Sequence, residues 1–308
     1  MNNLVKTEIL GVGITNDIEE NILEYVIESI IKPGKNYYIV TPNPEIVVYS
    51  REYKEFKDII NQARLALCDG TGLFIAGVVF NKKLRQRVTG VDFMLKLCKS
   101  VSDVNSQHKK KPITVGFLGA GPKIAERTAE CLKTKYSSLK VNFIGEEWGE
   151  KGFVWNERSK VKDQKSKLQL KNQNLETNYE MRSFERKRPI STSLQLRGSD
   201  SRIGLSHSDN LTMKQFNNET IDILFVAFGF PKQEEWMASH INKIPVKVMV
   251  GVGGSFDYIS GNISRAPFIV RLFGFEWLYR LIREPWRFRR QMALLKFSYL
   301  VFKERLSL

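Results

Sequence analysis

Apolar positions along the chain follow two alternating periods. Residues 17–31 repeat at helical spacing, with Ile18, Ile22, Val26 and Ile30 on one stripe. Asp17 and Glu20 stand at its head with the spacing of a capping box. Tyr37–Thr41 is a short apolar strand, and Ala66–Asp69 reads as the end of another. Val91–Lys99 returns to the helical period. Ile113–Leu118 is a strand that runs into Gly119-Ala120-Gly121-Pro122 and a helix from about Lys123 to Tyr136. Val141–Ile144, Ile221–Ala227 and Val246–Val252 are further strands, and Pro231 opens the helix between the last two. Strands alternating with helices predict an α/β fold built on a parallel, helix-covered sheet. Ligands of such sheets bind at the carboxyl ends of the strands.

Two segments break the pattern. Residues 155–217 are rich in Lys, Ser, Gln, Asn and Arg without a sustained apolar period, so they predict a polar, disordered insertion. Residues 262–308 mix base with aromatic residues: Arg280, Arg283, Arg287 and Arg290 recur at helical spacing among Phe273, Trp277, Trp286, Phe297 and Phe302. Pro285 interrupts this stretch and starts a second helix. A basic, aromatic, amphipathic stretch reads either as a peripheral membrane surface or as helices packed on the core with solvated arginines.

Charge sharpens the picture. The 308 residues carry a formal net charge of +15, which suits nucleic acid, anionic lipid or a phosphorylated substrate. Residues 262–308 hold 10 basic against 3 acidic side chains, and residues 151–219 hold 14 against 8, so these two segments carry most of the excess. The insertion lacks interleaved aromatics for base stacking, so nucleic acid is not expected as a partner. Cys68, Cys98 and Cys131 are too few and too odd in number for a disulfide framework, which favours a reducing compartment. His108, His207 and His240 lie far apart, and no metal site is expected. MNNLVKTEIL has no basic start before an apolar core, and no apolar run approaches the roughly 18–20 residues of a membrane span. A cytoplasmic, non-integral protein is therefore expected.

Candidate chemistry gathers at the strand ends. In CDGTG (68–72), Asp69 is either a general base or an Asx-turn aspartate. In TPNPE (41–45), Asn43 offers donor and acceptor, and the prolines also suit a plain turn. Gly119 and Gly121 form a strand-to-helix turn able to cradle phosphate. That turn is similar to a dinucleotide fingerprint, with Glu146 as its ribose acid, but Ile124 stands where the third glycine belongs. In FGFPKQEEW (228–236), Lys232, Gln233 and Glu234 occupy a first helical turn that favours an anion or is simply capped. GVGGSFDYISG (251–261) offers Gly254 and Asp257 for a ribose or for a turn alone. Arg87 in RVTG suits a diphosphate. No DxD pair exists, so arginine and helix dipoles would have to stabilise a leaving diphosphate.

TPNPEIV (41–47), CDGTG, RVTGVDFM (87–94), FLGAGP (117–122), FVAFGFPKQEEWM (225–237), VGVGGSFDYISGNISRAP (250–267) and GFEWLYRLIREPWRF (274–288), in this order, resemble the WecG/TagA/CpsF family of bacterial glycosyltransferases. The resemblance implies a Rossmann-like glycosyltransferase core over residues 1–261, interrupted at 155–217, and a membrane-associating appendage over 262–308. It implies inverting, metal-independent transfer of an N-acetylated sugar, typically N-acetylmannosamine, from a UDP-sugar donor. The acceptor would be N-acetylglucosamine on undecaprenyl diphosphate at the inner face of the cell membrane, without a cofactor. Homo-oligomers are compatible with it. Asp69 becomes the general base, Thr41 and Asn43 line the acceptor and sugar pocket, and Arg87 and Gln233 act near the diphosphate or sugar. Gly119, Gly254 and Asp257 fall on the nucleotide side, with Lys232 and Glu234 beside the substrate. Arg280, Arg287 and Arg290 face the lipid diphosphate. Phe230 stands where the family commonly has a small residue, which would narrow the pocket and opens glucose, glucuronic acid or N-acetylmannosaminuronic acid as alternative donor sugars. A nicotinamide oxidoreductase and a basic RNA-binding protein are the rival classes. Retention of NAD(P) or salt-steep RNA affinity would distinguish them.

Overall fold

The computed structural model describes residues 4–107, 111–145, 148–149, 152–153, 220–285 and 288–307. The insertion expected at 155–217 and the ribose acid considered at Glu146 lie outside them. Near the amino end, β1 (Lys6–Ile9) and β2 (Val12–Thr15) form an antiparallel hairpin. The main sheet contains β3 (Tyr37–Val40), β4 (Leu65–Ala66), β5 (Thr114–Gly119) and β6 (Lys140–Gly145). A small pair, β7 (Trp148–Gly149) and β8 (Gly152–Phe153), follows, and β9 (Ile221–Ala227) and β10 (Val246–Gly251) complete the main sheet. Its six strands run in the order β4-β3-β10-β9-β5-β6, every pairing parallel. The expected parallel α/β architecture is thus what the chain adopts.

Sequence explains the sheet's position. All seven residues of β9 are buried, as a strand covered on both faces requires. Its one acid, Asp222, lies at the amino-terminal end of the strand. There Asp222 accepts from the Thr114 N–H at 2.9 Å and pairs with Lys247 at 2.7 Å. On one face, α2 (Pro44–Glu52), α3 (Lys54–Gln62) and α7 (Lys232–His240) bury Val47, Phe56, Ile60, Trp236 and Met237. On the other, α1 (Glu19–Ile31), α5 (Gly90–Gln107), α6 (Ile124–Lys135) and α8 (Ser255–Ile259) bury Ile22, Val26, Phe93, Leu97, Leu132 and Phe256. Between β4 and α5 lies α4 (Thr71–Val79). Beyond α8 come α9 (Phe268–Leu272), α10 (Glu276–Arg283) and α11 (Phe288–Leu306), the helices flanking Pro285 as its position suggests. Helix α11 packs on α2 and α4 through buried Phe297 and Val301, and Arg51 pairs with Glu304 at 2.8 Å.

Local differences have local causes. Ile18 is exposed and precedes α1 rather than joining its stripe. The Asp17 carboxylate accepts from the Ile18 N–H at 2.8 Å and from Asn21, so Glu20 completes no capping box. Helix α5 continues past Lys99 to Gln107 because Val101 extends the buried row of Met94, Leu97 and Cys98. At the hairpin tip, Leu10 and Gly11 both adopt positive φ, as a two-residue hairpin turn needs.

Gly119 ends β5 at a φ of +106°. A Cβ there would lie 2.9 Å from the Ala227 carbonyl carbon and from the Phe228 ring. Gly119→Ala should therefore destabilise the protein by about 1–3 kcal/mol. Denaturant unfolding checks this, and an unchanged midpoint would contradict the close approach of β5 to β9.

Candidate functional site

The carboxyl ends of β3, β4, β9 and β10 open onto a cleft of about 460 Å³. Strand-to-helix turns form much of its wall, and residues of α10 and α11 add to it. After β3, the Thr41 hydroxyl donates to the Gly251 carbonyl at 3.2 Å, tying β3 to β10 at the rim. Asn43 caps α2: its Oδ1 accepts from the Ile46 N–H at 3.0 Å, and Pro44 follows at the first helical position. That capping bond leaves the Asn43 amide N–H groups without a hydrogen-bond partner among the described residues.

The strand end expected at Ala66–Asp69 is shorter, because β4 stops at Ala66, and Asp69 stands three residues beyond it. Its N–H donates to the Pro42 carbonyl at 3.0 Å, and its half-buried carboxylate accepts from the backbone N–H groups of Gly90 and Gly70. Burial pushes this carboxyl up to about 7. The charge of Glu276 pushes it the same way, while the two amides and the Arg87 guanidinium pull it down. A carboxyl near 7 is matched to general-base work at neutral pH. Arg87 gives one N–H to the Thr71 hydroxyl at 2.8 Å and another to the Arg271 carbonyl at 3.1 Å. It has no ion-pair partner among the described residues, so its charge stays available to an anionic ligand.

Gln233 is buried in the first turn of α7. Its Oε1 accepts from the Gly253 N–H at 2.8 Å, and its Nε2 donates to Glu234 Oε1 at 2.9 Å. The amide therefore brackets the start of α7 to the glycine turn after β10. Glu234 is fully buried, which pushes its carboxyl up to about 7. The Arg280 guanidinium reaches over the Gly254 turn: a Cβ at Gly254 would lie 3.1 Å from its Nη2. Arg280 also covers the Tyr258 ring at 5.1 Å and donates to Glu284 at 3.1 Å. Asp257 accepts from the Asn262 amide at 2.9 Å. The Phe230 ring lines the cleft and packs edge-on to Tyr49 and Phe56.

The cleft thus gathers Thr41, Asn43, Asp69, Arg87, Gln233, Glu234, Gly254, Asp257 and Arg280. Gly119 and Lys232 do not line it: Gly119 is held in the β5–β9 contact, and Lys232 is exposed at the start of α7. Arg287 and the side chain of Arg290 lie outside the described residues. Arg265 and Glu276 escaped sequence reading. The Arg265 fork holds Asp92 with bonds of 2.6 and 2.8 Å, and its Nε reaches Glu276 at 3.2 Å. Asp92 in turn accepts from Thr89 at the head of α5. Both missed residues fall inside stretches that matched the family, but with unlike charges eleven positions apart their pairing leaves no periodic signal.

Helices α9 and α10 bury none of their residues, although both are largely apolar. Phe268, Ile269, Leu272, Phe273 and Ile282 are each about two-thirds exposed or more, and Ile75 and Val78 of α4 are also exposed. Among the described residues, no helix is long and apolar enough to cross a membrane, and no cluster of three His, Cys, Asp or Glu side chains is arranged to hold a metal ion.

Comparison with known proteins places this chain in a family. Proteins of Staphylococcus aureus strains MRSA252, MW2 and NCTC 8325 are each 28% identical over 305 residues, spanning 98% of this chain and 94% of theirs. Each carries the name N-acetylglucosaminyldiphosphoundecaprenol N-acetyl-beta-D-mannosaminyltransferase. The model of the glycosyl transferase WecG/TagA/CpsF family matches residues 7–159 and 189–308, taking in every turn that builds the cleft. The chain belongs to the WecG/TagA/CpsF family of glycosyl transferases.

Proposed function

We propose that this protein transfers N-acetylmannosamine from its UDP donor to N-acetylglucosamine on undecaprenyl diphosphate, inverting the anomeric centre without a metal ion. The observation that carries the reading is the pairing, in one cleft, of a carboxyl poised near 7 with an arginine that has no ion-pair partner among the described residues. The sugar and the acceptor follow the names of the Staphylococcus aureus relatives.

Asp69 takes the proton from the acceptor hydroxyl as that oxygen attacks the anomeric carbon. The bond from that carbon to the UDP oxygen breaks, and UDP leaves with the electron pair. Arg87 and the amino-terminal ends of nearby helices stabilise the diphosphate. The Asn43 amide lines the sugar pocket. Thr41 and Gln233 act by fixing the rims they bind, because each spends hydrogen bonds on a neighbouring strand end. Gly254 and Asp257 belong to the nucleotide side, with Gly119 acting through the turn it shapes and Glu234 and Lys232 near the substrate. Arg280, with Arg287 and Arg290, faces the lipid diphosphate.

Residues 1–261 form the catalytic domain in this reading, interrupted by the polar insertion at 155–217, and residues 262–308 form its membrane-associating appendage. The exposed apolar side chains of α9 and α10, flanked by Arg271 and Arg283, support docking on the anionic inner face of the cell membrane. An apolar surface of this kind on a water-soluble chain otherwise needs a partner to cover it.

Asp69→Asn should leave UDP affinity within about twofold, by calorimetry, while turnover falls at least ~100-fold. Near-normal turnover would remove Asp69 from the role of base. Excess EDTA should leave the rate of UDP release unchanged. Strong inhibition reversed by manganese would contradict the metal-free displacement. The double substitution Phe273→Glu with Ile282→Glu should abolish flotation with phosphatidylglycerol vesicles. Turnover on a water-soluble acceptor should survive, and flotation equal to wild type would sink the membrane assignment.

A further inference from the structure

Glu276 opens α10 and lines the same cleft as Asp69. It reaches the cleft because the chain after α8 folds back over the strand ends. Three contacts seat this arm: Arg265 on Asp92, Arg87 on the Arg271 carbonyl, and the Thr71 hydroxyl on the Gly274 carbonyl at 3.3 Å. The Arg265 guanidinium spends its paired Nη groups on Asp92 and leaves only Nε, at 3.2 Å, for Glu276 Oε1. Glu276 Oε2 has no hydrogen bond or ion pair among the described residues, and the side chain is 25% exposed. The arm therefore delivers a carboxylate whose charge is only partly compensated.

We propose that Glu276 is a positioning residue of the active site: a second carboxylate, carried on the C-terminal arm, whose negative charge makes Asp69 a stronger base. Gly70 N–H comes from the head of α4, Gly90 N–H from the first residue of α5, and Arg87 from the segment leading into α5. All three favour the ionised form. Glu276, from α10, is the charge acting against them, together with burial. Behind Glu276 stand Arg265 and Asp92, which hold it without neutralising both oxygens. Base strength then depends on the arm being seated, and the same arm carries the exposed apolar surface. The catalytic consequence rests on the reading of Asp69 as the base; the electrostatic coupling does not.

The test uses the full chain labelled with ¹³C at the aspartate carboxyl carbon, with the Asp69 resonance assigned by its loss in Asp69→Asn. In wild type the resonance should titrate near pH 7. In Glu276→Gln, and again in Glu276→Ala, the midpoint should fall by about one pH unit. Glu276→Asp should keep most of the wild-type midpoint. The acidic limb of turnover should move down with the resonance, so the ratio of turnover at pH 6 to that at pH 8 rises several-fold while the plateau rate drops. The same spectra report whether each variant is folded. A midpoint unmoved in both folded variants overturns the proposal. A midpoint that falls while the acidic limb stays fixed supports the coupling and removes Asp69 from the role of base.

Discussion

Parallel pairing of β10 with β3 is the constraint on which the site depends. One strand comes early in the chain and the other late, and their register, Val248 opposite Tyr37, brings Thr41 beside Gly251. After β3 the chain passes to α2 on one face of the sheet, and after β10 it passes to α8 on the other. Connections that diverge in this way open a crevice at the carboxyl ends of the strands. Both faces of the sheet are closed by apolar helices, so polar groups with free valences survive chiefly at that edge.

The crevice is built before any substrate arrives. Thr41, Gln233 and the capping oxygen of Asn43 are spent on backbone groups and hold the turns in place. Among the groups that remain available are Arg87, the Asn43 amide and the two carboxylates Asp69 and Glu276. Such a division suits electrostatic catalysis, in which the dipoles and charges are fixed ahead of the reaction. The C-terminal arm completes the wall and carries the exposed apolar surface, so residues 265–282 contribute to both.

Much of this was legible in the residues. Continuous apolar runs such as Ile221–Ala227 announced buried parallel strands, and the turns that follow them held most of the polar groups of the cleft that were read from sequence. Asp69 and Asn43 were readable because glycine or proline beside a polar residue marks a strand end, and Arg87 because it stands before a helix. Other features left no such mark. The hairpin turn at Leu10-Gly11 places a leucine at positive φ, which its side chain does not advertise. Helix α2 (Pro44–Glu52) carries little apolar contrast, because it is buried on several sides. Gly119 looked like a phosphate cradle because its turn is rich in glycine, whereas the close approach of Ala227 is what requires it. Arg265 and Glu276 matter through a pairing that only the fold creates.

The central claim is that this one cleft joins a UDP-sugar to a lipid-linked sugar. The most direct measurement mixes the purified protein with UDP-N-acetylmannosamine and a short-chain polyprenyl-diphospho-N-acetylglucosamine, and reads the product by proton NMR. The account predicts UDP release that requires the acceptor, and one new disaccharide whose anomeric configuration is opposite to the donor's. Release without an acceptor, or a product that keeps the donor's configuration, would contradict it.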